Sequence, residues 1–270
     1  MNKLTNQLRY QGYLSTPLLW QGNSIKGLEQ LELSRTSKHD FSNNTVKEIR
    51  LGKLIEHFVF HELAQNKSIE ILASNIQLID NKLTIGEIDC LLKLLNEYIH
   101  LEIIYKFYLY DQNIISSEID KWIGPNRNDS LSRKIEKLKT KQLPILQHKK
   151  TREILNKLQL DVDLFQQKVY FKAQLFVPFN MLNEKMEIIN NQCIKGYYLS
   201  FNQIKKITST LFYIPSKLDW LIEPNNNVNW KETASFIKEI GKYMKAKKSP
   251  LCWIKDNHGQ MQKIFVVYWL

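Results

Sequence analysis

Charged side chains recur at every second position in two neighbouring segments of the chain. Asp89 lies in the first segment, Leu83–Leu94, and Glu102 and Lys106 lie in the second, Tyr98–Leu109. Alternation of apolar and charged residues is typical of β-strands with one buried face. Carboxylates can bind a hard divalent cation, and a lysine beside them can stabilise developing negative charge. The two segments therefore predict charged faces suited to metal-assisted chemistry.

The connection between the two strands predicts which residues meet. A short turn centred between Leu95 and Asn96 favours an antiparallel hairpin. Pairing about that turn places Asp89 opposite Glu102, with the two Cβ atoms roughly 5 Å apart. Like charges opposed in this way destabilise a strand pair, so we expect a cation between them. A divalent metal ion or Lys106 could supply it.

The flanking sequence predicts the elements that hold this hairpin. Apolar residues at three- and four-residue steps predict a helix over Val46–Ala64, which carries Glu56, after a polar linker with helix N-cap candidates at 37–45. A third strand is predicted over Ser68–Ile79. Beyond the hairpin, a helix opened by Asp129 or Ser130 runs to about Gln142, where Pro144 stops it, and a strand covers Gln167–Phe179. The order is helix, three strands, helix, strand, within an α/β fold.

We predict three parts along the chain. Residues 1–45 form an N-terminal aromatic segment and linker, residues 46–180 form the core, and residues 181–270 form an α+β C-terminal extension that ends in a hairpin.

Several motifs resemble a known family. The sequence GEID at Gly86–Asp89, followed by LEIIYKF at Leu101–Phe107, looks like the PD-(D/E)XK nuclease superfamily, whose restriction-endonuclease-like core has this same order of elements. More closely, the chain resembles an uncharacterised bacterial family assigned to that superfamily. The motifs that carry this closer resemblance are GYLSTPLLW, RLGKLIEHF, GEIDCLL, LEIIYKFYL, WIGPNRND and KLDWL.

The resemblance implies a catalytic site. Asp89 and Glu102 would ligate Mg²⁺ or Mn²⁺, and Glu56 would complete the site from the helix, directly or through water. Lys106 would position the attacking water or neutralise charge during phosphodiester hydrolysis. The chain departs from the superfamily at the usual lysine position, which is Ile104 here.

The positive charge of the chain is concentrated in one segment. The formal net charge is +11, and Lys121–Lys157 accounts for +8 of it, with 11 basic and 3 acidic residues. Such a segment could hold a DNA or RNA backbone without reading its sequence, or it could be an ordinary solvated surface. The candidate contacts are Arg127, Arg133, Lys134, Lys137 and Lys141.

Composition excludes several classes of protein. The longest apolar run, Ile264–Leu270, is too short to cross a bilayer, and we expect no membrane partner. The N-terminal residues lack the apolar core of a secretory signal. Cys90, Cys193 and Cys252 are widely spaced, which predicts reduced thiols, a cytoplasmic location and no zinc site.

Other interpretations of the same residues remain open. The two acids and the lysine could form a surface ion-pair patch, and Glu56 could pair with Lys53 or Arg50 on its own helix. The chain could be an inactive relative that only binds nucleic acid, or a protein-interaction scaffold using its aromatic C-terminal region. We predict a nuclease-like hydrolase acting on nucleic acid, with the inactive binder as the first alternative.

Overall fold

Helices and strands are interspersed along the chain. The computed structural model describes residues 3–22, 24–33, 40–41, 50–208 and 210–270. Its helices are α1 (Lys3–Leu14), α2 (Leu51–Ala64), α3 (Glu118–Lys121), α4 (Leu131–Lys137), α5 (Lys149–Lys157), α6 (Phe201–Ile204) and α7 (Thr233–Lys245). Its strands are β1 (Ile69–Asp80), β2 (Leu83–Leu94), β3 (Glu97–Tyr110), β4 (Trp122–Ile123), β5 (Phe165–Pro178), β6 (Ile194–Ser200), β7 (Leu211–Tyr213), β8 (Lys231–Glu232), β9 (Leu251–Lys255) and β10 (Met261–Val267).

All ten strands belong to one mixed sheet. Their order is β1-β2-β3-β5-β6-β10-β9-β7-β8, and β4 pairs with β3 outside this path. β1, β2 and β3 form an antiparallel meander, whereas β5 lies parallel to β3. The strands of the predicted C-terminal extension continue the same sheet through β6, which pairs with β5. The mixed α/β class that the sequence predicts is confirmed.

Helices cover both faces of this sheet. On one face, α1 and α2 bury aromatic and aliphatic side chains such as Tyr10, Tyr13 and Phe58 against β2, β3 and β5. On the other face, Leu131 and Ile135 of α4 pack against a second core built from the alternate residues of β3 and β5. Each of these strands is therefore buried on two sides, and its charged face is covered instead of facing solvent.

The helix after the basic loop differs from its prediction. Ser130 caps α4, as predicted, because its hydroxyl accepts a hydrogen bond from the backbone N–H of Arg133. The chain then continues through a π-helical turn at Leu138–Gln142 and a 3-10 helix at Leu143–Gln147. Pro144 does not stop it, because Pro144 occupies the first turn of the 3-10 helix, where no N–H donor is required.

Helix α1 was not predicted from the sequence. It packs against the segment at Lys217–Leu221, where a Cβ added to Gly12 would lie 1.9 Å from the carbonyl oxygen of Leu221. Arg9 and Asp219 form a salt bridge of 2.6 Å across the same contact. Two of the family-like motifs, GYLSTPLLW and KLDWL, therefore meet in space. Helix α2 begins at Leu51, and the predicted start near Val46 lies outside the described residues.

Candidate active site

The predicted register of the β2–β3 hairpin is confirmed. Cys90 pairs with Leu101 and Leu94 pairs with Glu97, which is the alignment expected for a turn between Leu95 and Asn96. The described ladder ends at Cys90. Beyond it, Oδ2 of Asp89 accepts a hydrogen bond of 2.9 Å from the backbone N–H of Ile103. A carboxylate therefore takes the place of a backbone acceptor where the two strands separate.

Asp89 also marks a change in the alternation of β2. Cys90 and Leu92 pack in the core beneath α2, but Ile88 packs with Leu91 in a separate cluster with Ile145 and Leu146. Regular alternation along a strand would place Ile88 on the same face as Cys90, and β2 departs from it. The neighbouring strand gives the reason, because Asn75, which the register places opposite Asp89, has a φ of 53°. Such a conformation interrupts regular pleating.

Glu102 is fully buried on the face of β3 that α4 covers. Its Oε2 accepts a hydrogen bond of 2.5 Å from Nε2 of Gln142, in the π-helical turn. Its Oε1 accepts no hydrogen bond from the described residues, and Nε2 of the fully buried His100 lies 3.4 Å away. Buried carboxylate oxygens normally have a partner. Glu102 therefore presents an unsatisfied anionic oxygen.

Lys134 is the cation that reaches this cluster from α4. Its Nζ donates a hydrogen bond of 2.6 Å to Oε1 of Gln142, so the Gln142 amide links Lys134 to Glu102. Burial lowers the pKa of Lys134 to about 8, while the negative charges of Glu102 and Asp89 oppose that shift. The sequence assigned Lys134 to the nucleic acid backbone, whereas the structure brings it to the carboxylates.

The negative charge of Glu102 acts on the neighbouring Asp89. Burial, followed by the negative charge of Glu102, raises the pKa of Asp89 from 3.8 to about 7, and Glu56 adds a smaller effect in the same direction. The backbone N–H of Ile103 and the charge of Lys134 lower it. A neighbouring anion disfavours a second ionised carboxylate. Asp89 and Glu102 thus form a crowded acidic pair.

Lys106 and Glu56 each have another partner. Nζ of Lys106 lies 2.5 Å from Oδ2 of Asp129. The positive charge of Lys106 also contributes to lowering the pKa of Lys134. Glu56 pairs with Lys53 at 2.6 Å, as one interpretation of the sequence proposed. Lys53 also lies 3.6 Å from Glu87. The structure thus places Asp89, Glu102 and Lys134 together, with Lys106 and Glu56 at the edge of the cluster.

The predicted basic residues separate into two groups. Arg133, Lys137 and Lys141 are exposed on the helical segment that covers β3. Arg127 instead has partners within the chain, because its guanidinium pairs with Asp111 at 2.8 Å and lies 4.8 Å from the ring centroid of Trp269. Three exposed cations therefore lie on the element that carries Lys134.

Sequence reasoning did not select Gln142 or His100. The only signal for Gln142 is its position one turn beyond the lysines, and the π-helical turn decides where its side chain points. His100 shares the face of Glu102 by strand alternation alone. Both side chains could have been found by asking what covers the charged face of β3.

The described part of the chain contains no group of three or more His, Cys, Asp or Glu side chains that could hold a metal ion. The three cysteines are free, as the sequence predicted. All three are also buried. No helix among the described residues is long and apolar enough to cross a membrane.

Comparison with known proteins identifies a family and gives no function. No curated protein and no solved structure matches the chain significantly. A family model described as "Domain of unknown function (DUF1853)" matches residues 4–267. That match covers nearly the whole sequence, including the cluster around Asp89 and Glu102. The chain belongs to the DUF1853 family.

Proposed function

We propose that this protein is a metal-dependent phosphodiesterase acting on nucleic acid, with a PD-(D/E)XK-like core and its active site at Asp89 and Glu102. The observation that carries the proposal is the position of Asp89 beside Glu102 where β2 and β3 separate. Asp89 accepts a hydrogen bond from the backbone N–H of Ile103, the residue after Glu102, and Gln142 joins Glu102 to Lys134. The order α2, β1, β2, β3, α4, β5 supports the same conclusion, because it matches the order that the resemblance implies once the short α3 and β4 and the helix α5 are treated as insertions.

The acidic pair fits a hard divalent cation such as Mg²⁺ or Mn²⁺. Oε1 of Glu102 is buried without a hydrogen-bond donor among the described residues, and Asp89 uses only one oxygen for the Ile103 N–H. Mg²⁺ commonly uses one or two carboxylates together with water and substrate phosphates, so a third protein ligand is not required. Glu56 would join only after leaving Lys53. When bound, the cation would polarise the phosphodiester and lower the pKa of a coordinated water.

The side chains around the pair have separate tasks. Gln142 holds the Glu102 carboxylate and the Lys134 ammonium in fixed positions through its amide. Lys134 can donate a hydrogen bond to a non-bridging phosphate oxygen and so stabilise the charge that develops there. Lys106 is less available for this task because it already pairs with Asp129. The exposed Arg133, Lys137 and Lys141 would hold the phosphate backbone.

A second function is favoured by the burial of Glu102. Its side chain has no exposed surface, so a cation can reach it only if the covering segment moves. Ile104 also occupies the usual lysine position of the superfamily. Both observations fit an inactive relative that binds nucleic acid through the same basic residues. A scaffold role has less support, because Trp253 is buried and Trp269 lies against Arg127 and Tyr198.

Cleavage assays with paired variants test the proposal. The parent protein should cleave single- or double-stranded DNA or RNA in Mg²⁺ or Mn²⁺ and lose this activity in EDTA. Asp89→Asn and Glu102→Gln should reduce cleavage by at least about 10²-fold, the size seen when one catalytic charge-stabilising group is removed. Glu70→Gln is the matched control, because Glu70 is an exposed carboxylate on β1. It should cleave like the parent.

Stability measurements separate a catalytic Asp89 from a structural one. The pKa of Asp89 is raised in the folded chain, so its ionisation weakens folding as pH rises from about 4 through 7. Asp89→Asn should therefore keep or raise the Tm at pH 7.5. A lower Tm would indicate a stabilising ion pair. If the parent cleaves no substrate with either metal yet binds nucleic acid, the inactive-binder function replaces the proposed one.

A further inference from the structure

A second polar cluster is buried on the opposite face of the sheet, beneath α1. It consists of Glu62, Tyr13, Tyr170 and Lys172, and we call it the Glu62–Lys172 cluster. Oε2 of Glu62 accepts hydrogen bonds from the hydroxyl of Tyr13 and, at 3.0 Å, from that of Tyr170. Burial and the charge of Glu62 raise the pKa of both phenols well above the usual value, so both remain donors. Oε2 of the carboxylate therefore has two donors among its own neighbours.

The ammonium of Lys172, in contrast, has no hydrogen-bond acceptor among the described residues. Lys172 is 5% exposed, and its Nζ donates no hydrogen bond to any described residue. Glu62 Oε2 lies 3.8 Å away, beyond hydrogen-bond distance. The remaining contacts are with aromatic faces, at 4.3 Å from the ring centroid of Tyr13 and 5.2 Å from that of Tyr170. These contacts accommodate the charge but leave its three N–H donors without a hydrogen-bond acceptor in the described part of the chain.

A cavity opens beside this ammonium. Its volume is about 890 Å³, within the range of small-molecule sites, and Lys172 lines it. Much of the wall is apolar, from Leu8, Leu14, Leu18 and Ile222. A buried donor in a mostly apolar cavity suits a ligand with an anionic group and an apolar body.

The charges around the cavity leave one positive charge unbalanced. Glu62 balances Lys172, and Glu223 balances the buried Lys263 at 3.2 Å. Lys195 also lines the cavity and pairs with no carboxylate in the described part of the chain. The four charged side chains of the wall, Glu62, Lys172, Lys195 and Glu223, sum to zero. Lys263 lies behind the wall against Glu223 and brings the local charge to about +1, which matches a ligand of charge −1.

We propose that this cavity is a binding site for a small monoanionic organic molecule, with its anionic oxygens on Lys172 and its apolar part against the α1 side. The site does not depend on the proposed hydrolase function, because Asp89, Glu102 and Lys134 do not line it. A carboxylate or a sulfonate would satisfy the same donors. A polyanion such as nucleic acid fits less well, because the net charge of the wall is small.

Titration calorimetry with octanoate tests the site, with 1-octanol as the uncharged probe of the same length. Octanoate should bind the parent protein at least about tenfold more tightly than 1-octanol does, because a hydrogen bond to a charged group contributes on that order. Lys172→Met should remove that difference while 1-octanol binding stays the same. Leu14→Trp, which fills the cavity, should weaken both probes. Lys67→Met, at an exposed lysine outside the cavity, is the control.

Three results would overturn the proposal. They are no octanoate binding to the parent, equal affinity for the two probes, and octanoate affinity that survives both Lys172→Met and Leu14→Trp. If Lys172→Met does not fold, Lys172→Arg and Leu14→Trp decide the question. Lys172→Arg keeps the charge and should retain octanoate preference, and loss of that preference would contradict the assignment of Lys172.

Discussion

The two buried polar clusters leave hydrogen-bond positions open on groups of opposite charge. Around Asp89, the lysine is satisfied, because Lys134 donates to Gln142, while Oε1 of Glu102 has no donor among the described residues. In the Glu62–Lys172 cluster Oε2 of the carboxylate accepts hydrogen bonds from two phenols, while the ammonium of Lys172 has no hydrogen-bond acceptor among the described residues. The first cluster is suited to a cation and the second to an anion.

The difference shows how a buried charge can be assigned to folding or to function. A charged group that joins buried neighbours through hydrogen bonds stabilises the fold, as Oε2 of Glu62 does with two phenols. A buried charge with open hydrogen-bond positions costs stability, and it is retained where a ligand completes it. Glu102 and Lys172 are of this second kind.

The largest expected effect concerns Glu62. Glu62→Ala removes the acceptor of two buried phenols and the carboxylate that pairs with Lys172 at 3.8 Å. Losing one member of a buried ion pair costs about 3 kcal/mol or more, which corresponds to a Tm lower by roughly 6 to 12 °C. Thermal unfolding measured by circular dichroism checks this value. Glu70→Ala, at an exposed carboxylate, should change the Tm little, and an equal Tm for both variants would contradict the comparison.

A smaller effect distinguishes the two lysines of the acidic cluster. Lys134→Met should lower cleavage by about 10²-fold, because it removes a donor held beside the carboxylates. Lys106→Met should lower cleavage by less than about tenfold, because Lys106 is already paired with Asp129. Single-turnover rates at saturating nucleic acid provide the measurement. The reverse order would restore Lys106 as the catalytic lysine.

The smallest expected effect concerns the exposed basic residues. The combined change of Arg133, Lys137 and Lys141 to Ala should weaken DNA binding without regard to sequence. It should also reduce the slope of log affinity against log salt by roughly 0.9 for each lost phosphate contact. The matched control changes the exposed lysines Lys238, Lys242 and Lys245 of α7 to Ala. Equal slopes in the two triple variants would identify Arg133, Lys137 and Lys141 as ordinary solvated surface.

Much of the fold near the hairpin was predictable from local signals. Alternation and a turn at Leu95, whose φ is 53°, determine the β2–β3 register, and all three strands end within two residues of their predictions. Helix α1 was not predictable in this way, because its buried Tyr10 and Tyr13 depend on contacts with α2 and with the segment at Lys217–Leu221. Local patterns contain no information about such tertiary partners.

The candidate site was predictable only in part. Alternation indicated Asp89 and Glu102, but the irregular pairing opposite Asn75 and the π-helical turn decide which groups meet them. A regular helix would carry Lys134, Lys137 and Lys141 along one side. Lys134 and Lys137 both precede the π-helical turn, but Lys134 is half-buried because its ammonium donates to Gln142, which lies in that turn, whereas Lys137 and Lys141 are exposed. Single irregular turns of this kind leave little trace in sequence.

Calorimetric titration with Mn²⁺ tests the central claim most directly, because it requires no knowledge of the substrate. It should be performed at pH 8, above the pKa of about 7 of Asp89, so that the Asp89 carboxylate is ionised. The account predicts one Mn²⁺ site in the parent protein and in Glu70→Gln, and loss of that site in Asp89→Asn and Glu102→Gln. Absence of binding to the parent, or equal binding to all four proteins, would contradict a metal site at Asp89 and Glu102.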